Sequence, residues 1–137
     1  MGKISDRELC KLANSARDLS YSPYSNFSVG AALLTKSGRV YLGANIENAS
    51  FTPTVCAERV AFFKAISEGE TEFSKIAVVG AKNGQNAEAP TAPCGVCRQV
   101  MAEFCDGSFE ILMPYSDKYD KVTLDEILPR RFDKTSL

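Results

Sequence analysis

No histidine occurs in the 137-residue chain. That absence removes Ser-His-Asp and Cys-His nucleophile machinery, H-E-x-x-H metalloprotease chemistry and every imidazole acid–base step. Chemistry here must run on Cys, Glu, Asp, Lys, Arg or Tyr. A surplus of positive charge is missing too: 16 Lys and Arg stand against 17 Asp and Glu, a formal charge of -1. Polynucleotide binders carry a basic excess or stripe, so no nucleic-acid partner is expected. The N-terminal stretch MGKISDRELCKLANSARDL is charged and amphipathic, with no apolar run long enough for a signal peptide or a membrane span. A cytoplasmic protein without a membrane partner is the expectation.

What is present suffices for one core. The length suits a single domain over residues 1–137, and 45% hydrophobic residues can fill it without staples. The five cysteines, Cys10, Cys56, Cys94, Cys97 and Cys105, are odd in number, and a reducing compartment disfavours disulfides. Metal or catalytic use then competes with simple burial.

Ser5-Asp6-Arg7-Glu8 reads as a capping box, and Leu9, Leu12, Ala13, Ala16 and Leu19 recur at helical spacing, so a first helix is predicted near 6–19. Residues 29–35 and 39–45, around Ser37-Gly38, read as a hairpin. Thr52-Pro53-Thr54 supplies starter chemistry for a second helix, with helix formers over 57–66 and a stop at Glu68-Gly69. The apolar run 75–81 predicts a strand buried on both faces and reached by a helical crossover. A loop over 82–92 precedes a third helix opened by Pro93 and running to about Phe104. A strand follows at 110–113, and the capping box Thr123-Leu124-Asp125-Glu126 starts a short helix ended by Pro129. The order α-β-β-α-β-α-β-(β)-α implies an α/β fold, a mixed sheet with helices on its faces.

Cys56 falls in the first turn after Thr52-Pro53, and Cys94 and Cys97 occupy the first turn after Pro93, where unpaired helix N–H groups stabilise thiolates. Cys94 and Cys97 share one face at i, i+3 and suit one tetrahedral Zn²⁺, to which Cys56 adds a third sulfur. A closed structural site would need a fourth ligand, and Cys10 or Cys105 are the candidates. Glu58 lies roughly 200° around an ideal helix from Cys56, so the two approach one metal only at a helix tip. A carboxylate beside such a metal can take a proton from water and hand it on. Three thiolates and Zn²⁺ sum to a negative charge, which Arg59 or Arg98 could offset.

Cys56-Ala57-Glu58-Arg59 followed by Pro93-Cys94-Gly95-Val96-Cys97-Arg98-Gln99 resembles the C/H-A-E … P-C-x-x-C pattern of zinc-dependent nucleoside deaminases. More narrowly, the chain is similar to the small, homotetrameric, all-cysteine cytidine deaminases. The similarity extends through residues 24–33 (YSNFSVGAAL), 43–49 (GANIENA), Leu128-Pro129 and Phe132. It implies a three-layer α/β/α fold around a mixed five-stranded sheet, one Zn²⁺ per chain held by Cys56, Cys94 and Cys97, and Glu58 as proton shuttle. It further implies a small-molecule nucleoside partner: Asn45 and Glu47 on the ribose, Phe27 against the pyrimidine, the Ala57 N–H on its carbonyl, and a carbonyl near Ala92 on its amino group. Arg59 matches the arginine that balances ligand charge, and Phe132 a phenylalanine contributed by a neighbouring subunit of a homotetramer with shared active sites. The implied reaction is hydrolytic deamination of cytidine and 2′-deoxycytidine in pyrimidine salvage: water adds at C4, Glu58 carries its proton to N3, and ammonia leaves. Two departures from the family's usual spelling stand out, Ala92 in place of Ser and the FTPTV run over 51–55.

Read without that resemblance, Cys94-x-x-Cys97 fits a redox pair or half of a structural zinc site as well as a catalytic one. Cys10 and Cys105 read as small apolar residues packed in the core.

Overall fold

The computed structural model describes residues 4–137, so the first three residues of the N-terminal stretch lie outside the described residues. Five strands form one mixed sheet in the order β2-β1-β3-β4-β5: β1 Phe27–Thr35, β2 Val40–Ala44, β3 Phe73–Lys82, β4 Glu110–Tyr115 and β5 Lys118–Thr123. β1 is antiparallel to both β2 and β3, β3 is parallel to β4, and β5 returns antiparallel on β4. The strand expected over 75–81 is thus central. It is reached from β2 through α2, Ala57–Ser67, and left for β4 through α3, Gly95–Phe104.

Sheet alternation decides which helix covers which face. Ala31, Leu33, Ile76, Val78, Ile111 and Met113 point to the side covered by α2, α3 and the short α4, Leu124–Ile127. Ala32, Ala77, Val79, Ala81 and Leu112 point to the other side, covered by Leu9, Cys10 and Ala13 of α1, Asp6–Ala16. The three-layer α/β/α arrangement follows. On that first face Phe62 of α2 is fully buried and meets Phe73 edge-on at 4.9 Å between ring centres. Burying a side chain of that size contributes about 1.5–3 kcal/mol.

The Ser5 capping box forms as expected, with Glu8 N–H on Ser5 Oγ at 3.1 Å and Ser5 N–H on Glu8 Oε1 at 3.0 Å. The predicted span 6–19 is an α-helix to Ala16 and a 3-10 turn over Arg17–Leu19.

Two helix starts differ from expectation. Thr52 and Pro53 belong to a turn closed by Thr54 N–H on the Phe51 carbonyl, and Val55 then pairs with Ile46 in both directions at 3.0 Å. That bridge keeps the chain extended through Cys56, so α2 opens only at Ala57. Likewise Pro93 precedes α3, which opens at Gly95 with Cys94 as its extended N-cap residue.

Candidate metal centre

Both helix starts aim sulfur at one point. Cys56 is the N-cap of α2 (φ -77°, ψ 156°) and Cys94 the N-cap of α3 (φ -70°, ψ 169°), while Cys97 lies in the first turn of α3. An N-cap side chain is off the helical cylinder, which removes the rotational conflict between Cys56 and Glu58 that an ideal helix imposes. Neither cap makes the side-chain hydrogen bond usual at that position. The Sγ atoms of Cys56 and Cys94 are 3.7 Å apart and those of Cys94 and Cys97 3.6 Å apart, all three within 4.8 Å of one another.

These separations fit zinc. With Zn–S near 2.3 Å, the edge of a tetrahedron of thiolates is about 3.8 Å. Among the described residues no fourth Cys, Asp or Glu joins the cluster. Cys10 is packed on the α1 side of the sheet, and Cys105 lies against the opposite core. Burial pushes their thiols up to about 11 and about 12. Neither can close the site, and three ligands with a free corner is the pattern of catalytic rather than structural zinc.

The surrounding charges are graded. Cys56 is pulled down to about 5, first by the hydrogen bond from Cys97, against partial burial, and then by Arg59. Cys97, buried and close to the Cys56 sulfur, is pushed up. Arg59 places Nη2 3.5 Å from Cys56 Sγ, while its Nε is buried without a partner. Arg98 goes elsewhere: Nε donates to the Pro93 carbonyl and Nη1 to the Ile127 carbonyl, each at 2.7 Å. Of the two arginines in the motifs, Arg59 beside Glu58 and Arg98 beside Cys97, only Arg59 has a hydrogen bond to sulfur.

Glu58 is 3% exposed in the first turn of α2. Burial pushes its carboxyl up to about 7, with the Cys56 thiolate adding to the rise and its own backbone N–H and Arg59 opposing it. Ala57 opens the helix, fully buried, and helical geometry leaves the first N–H groups of a helix without intrahelical partners.

Three of the residues expected on the nucleoside, Phe27, Asn45 and Glu47, are hydrogen-bonded into one ledge that joins the Cys56 segment through the Ile46–Val55 bridge. Residues 45–47 run extended between Tyr21 and Val55, with Tyr21 N–H on the Asn45 carbonyl at 3.0 Å and Glu47 N–H on the Tyr21 carbonyl at 2.8 Å. Asn45 and Glu47 therefore turn to one side, as their i, i+2 spacing requires. Asn45 Oδ1 accepts from Val29 N–H at 2.9 Å and Ser20 Oγ at 2.6 Å, and its Nδ2 donates to the Phe27 carbonyl at 2.9 Å. Glu47 accepts from Tyr24 N–H, Ser25 N–H and the Ser25 hydroxyl. The Ser25 hydroxyl leads in holding its carboxyl below the usual range, against partial burial. Phe27 lies over Gly80, where a Cβ would stand 2.7 Å from its ring. Phe132 is 63% exposed, its carbonyl bound by Gln99 Nε2 at 2.6 Å. Sequence reading did not single out Ser25 or Gly80; an isolated Gly in an apolar strand was the available signal for the second.

Three clustered cysteine sulfurs with an open corner, flanked by a buried carboxyl group, define an open zinc site of the hydrolytic kind. Residues 3–113 match the family described as the cytidine and deoxycytidylate deaminase zinc-binding region, and the chain belongs to that family. It is 47% identical over 123 residues to a cytidine deaminase of Sporosarcina psychrophila, covering 89% of this chain and 87% of the relative. It is 48% identical over 129 residues to one from Halalkalibacterium halodurans, covering 93% and 94%. The crystal structure of a Burkholderia pseudomallei cytidine deaminase superposes with a TM-score of 0.85 at 42% identity, over 94% of this chain and all of that one.

Proposed function

We propose that the protein is a cytidine deaminase acting on cytidine and 2′-deoxycytidine in pyrimidine salvage, through a single catalytic domain. The observation that carries this reading is the Cys56–Cys94–Cys97 cluster beside buried Glu58 in a chain of this family. A zinc ion on those sulfurs supplies Lewis acidity, which makes water nucleophilic near neutral pH. Glu58 takes the proton of the attacking water and delivers it to ring N3, then serves the departing amino group; its raised pKa suits both directions of transfer. Phe27 packs on the base, Asn45 and Glu47 hold the ribose, and the Ala57 N–H meets the pyrimidine carbonyl. Arg59 offsets the excess negative charge of three thiolates.

The active form is a homotetramer in which Phe132 of one copy closes the site of another. Phe51, Phe63, Val96, Phe132 and Leu137 are all large, apolar and exposed, which supports assembly of further copies. A reducing cytoplasm agrees with five unpaired cysteines. No described helix is long and apolar enough to cross a membrane.

Purified protein given cytidine should release ammonia and uridine, carry about one zinc per chain and sediment as a tetramer. Zinc-loaded protein that leaves cytidine and 2′-deoxycytidine intact would overturn the reading.

A further inference from the structure

The Ser25 side chain touches both the Glu47 side and the Phe27 side of the proposed nucleoside ledge. Its hydroxyl accepts from the Phe27 N–H at 3.1 Å and donates to Glu47 Oε2. Its own N–H and that of Tyr24 donate to Glu47 Oε1 at 3.1 and 3.0 Å. One carboxylate thus has three of its roughly four acceptor sites filled from a single turn, leaving about one for a ligand hydroxyl. Phe27 is fixed on both sides of its Cα, the N–H by Ser25 Oγ and the carbonyl by Asn45 Nδ2 at 2.9 Å.

The turn itself is anchored from behind. Asn26 adopts φ 58°, its N–H reaches the Ser22 carbonyl at 3.1 Å, and Asn83 holds both its carbonyl and its side chain at 2.9 Å. Ser25 is therefore carried on a braced backbone, although it is exposed. A bond between an ionised acceptor and a hydroxyl is among the stronger neutral-to-charged pairs, and it has directional preference.

We propose that Ser25 is a positioning residue whose hydroxyl sets the Glu47 carboxylate in register with Phe27, so that sugar and base are gripped at one fixed spacing. The proposal rests on the functional reading above. Without the hydroxyl, Glu47 keeps its two amide donors but loses the constraint on Oε2, and its free acceptor site no longer faces one direction. Binding of the sugar weakens while proton transfer at Glu58, on another element, is untouched.

The test is steady-state kinetics on the zinc-loaded assembly, with melting temperature and zinc content measured alongside. Ser25→Ala should raise KM for cytidine about tenfold with kcat within about twofold, and Ser25→Thr should stay near wild type. Ser25→Cys, a near-isosteric weak donor, should behave like the alanine variant and takes its place should that one fail to fold. The Ser25→Ala effect should shrink below about twofold in a Glu47→Ala background, and again with 2′,3′-dideoxycytidine, which lacks the ring hydroxyls. An unchanged KM overturns the proposal, and so does an equal loss in the Glu47→Ala background. A wild-type chain inert toward cytidine overturns the functional reading and this proposal together. An active chain indifferent to Ser25 overturns only the positioning.

Discussion

Gly43 and Ala57 meet backbone to backbone: a Cβ on Gly43 would overlap the Ala57 carbonyl oxygen and lie 2.6 Å from the Ala61 amide nitrogen. β2 thereby sits directly under the first turns of α2, the helix whose start carries Cys56 and Glu58. No flexible side chain intervenes to absorb a change. The placement of the Glu58 carboxyl group is thus tied to a residue with no side chain at all.

Gly43→Ala should therefore destabilise the fold and loosen the site together. Overpacking at a rigid contact costs about 1–3 kcal/mol. Urea unfolding should show that loss, and zinc affinity should fall with it. A variant of wild-type stability and zinc affinity would mean that α2 can slide.

Glu58→Gln keeps the shape and removes the proposed proton carrier. The expected outcome is a kcat lower by about 10²–10⁴-fold, with zinc content unchanged. Loss of zinc in that variant would instead make Glu58 part of the metal's support.

Cys97 is the most buried of the three clustered cysteines, at 1% exposed, and lies in the first turn of α3. Cys97→Ser should abolish stoichiometric zinc by elemental analysis and lower the melting temperature. A strong chelator should do the same to the wild-type chain, with activity returning when zinc is restored.

Acid stability should depend on Asp6. Its carboxylate lies 2.7 Å from Lys75 Nζ and 3.1 Å from Lys121 Nζ, with Glu110 also near both lysines. Burial raises its pKa, but the two lysines outweigh that and hold it below the ordinary 3.8. A carboxyl lowered on folding contributes stability that is present above its unfolded pKa and lost as the pH falls through the folded one. Asp6→Asn should cost up to about 1 kcal/mol in urea unfolding at pH 7, since the pair is partly solvated. At a pH below the folded value the variant and wild type should converge. A constant gap at all pH values would mean that the charge is irrelevant.

Element types and their order were legible because local signals were strong. Ser5 with Glu8 and Thr123 with Glu126 form the capping boxes their spacing requires, and the apolar run around Ile76 and Val78 is the central strand. The starts of α2 and α3 were misplaced by a few residues because the deciding interaction is not local. Val55 is held extended by Ile46, nine positions earlier, and no propensity at Thr52 or Pro53 reports that bridge. The thiolate trio could be anticipated from spacing together with family resemblance. The choice between Arg59 and Arg98 could not, because Arg59 follows Glu58 and Arg98 follows Cys97, and only the fold shows that Arg98 is spent on the Pro93 and Ile127 carbonyls. Ser25 was hidden for a similar reason: its partner Glu47 is distant in the chain and meets it only when residues 45–47 lie beside Tyr21.

Sulfur stands at both helix caps, where an oxygen would ordinarily quiet the loose amides. In a cell starved of the ion, two adjacent helix starts would fray at the same time, and that frayed region would offer itself to proteases. Nutrient supply would then govern how many copies of the enzyme survive as well as how fast each one works.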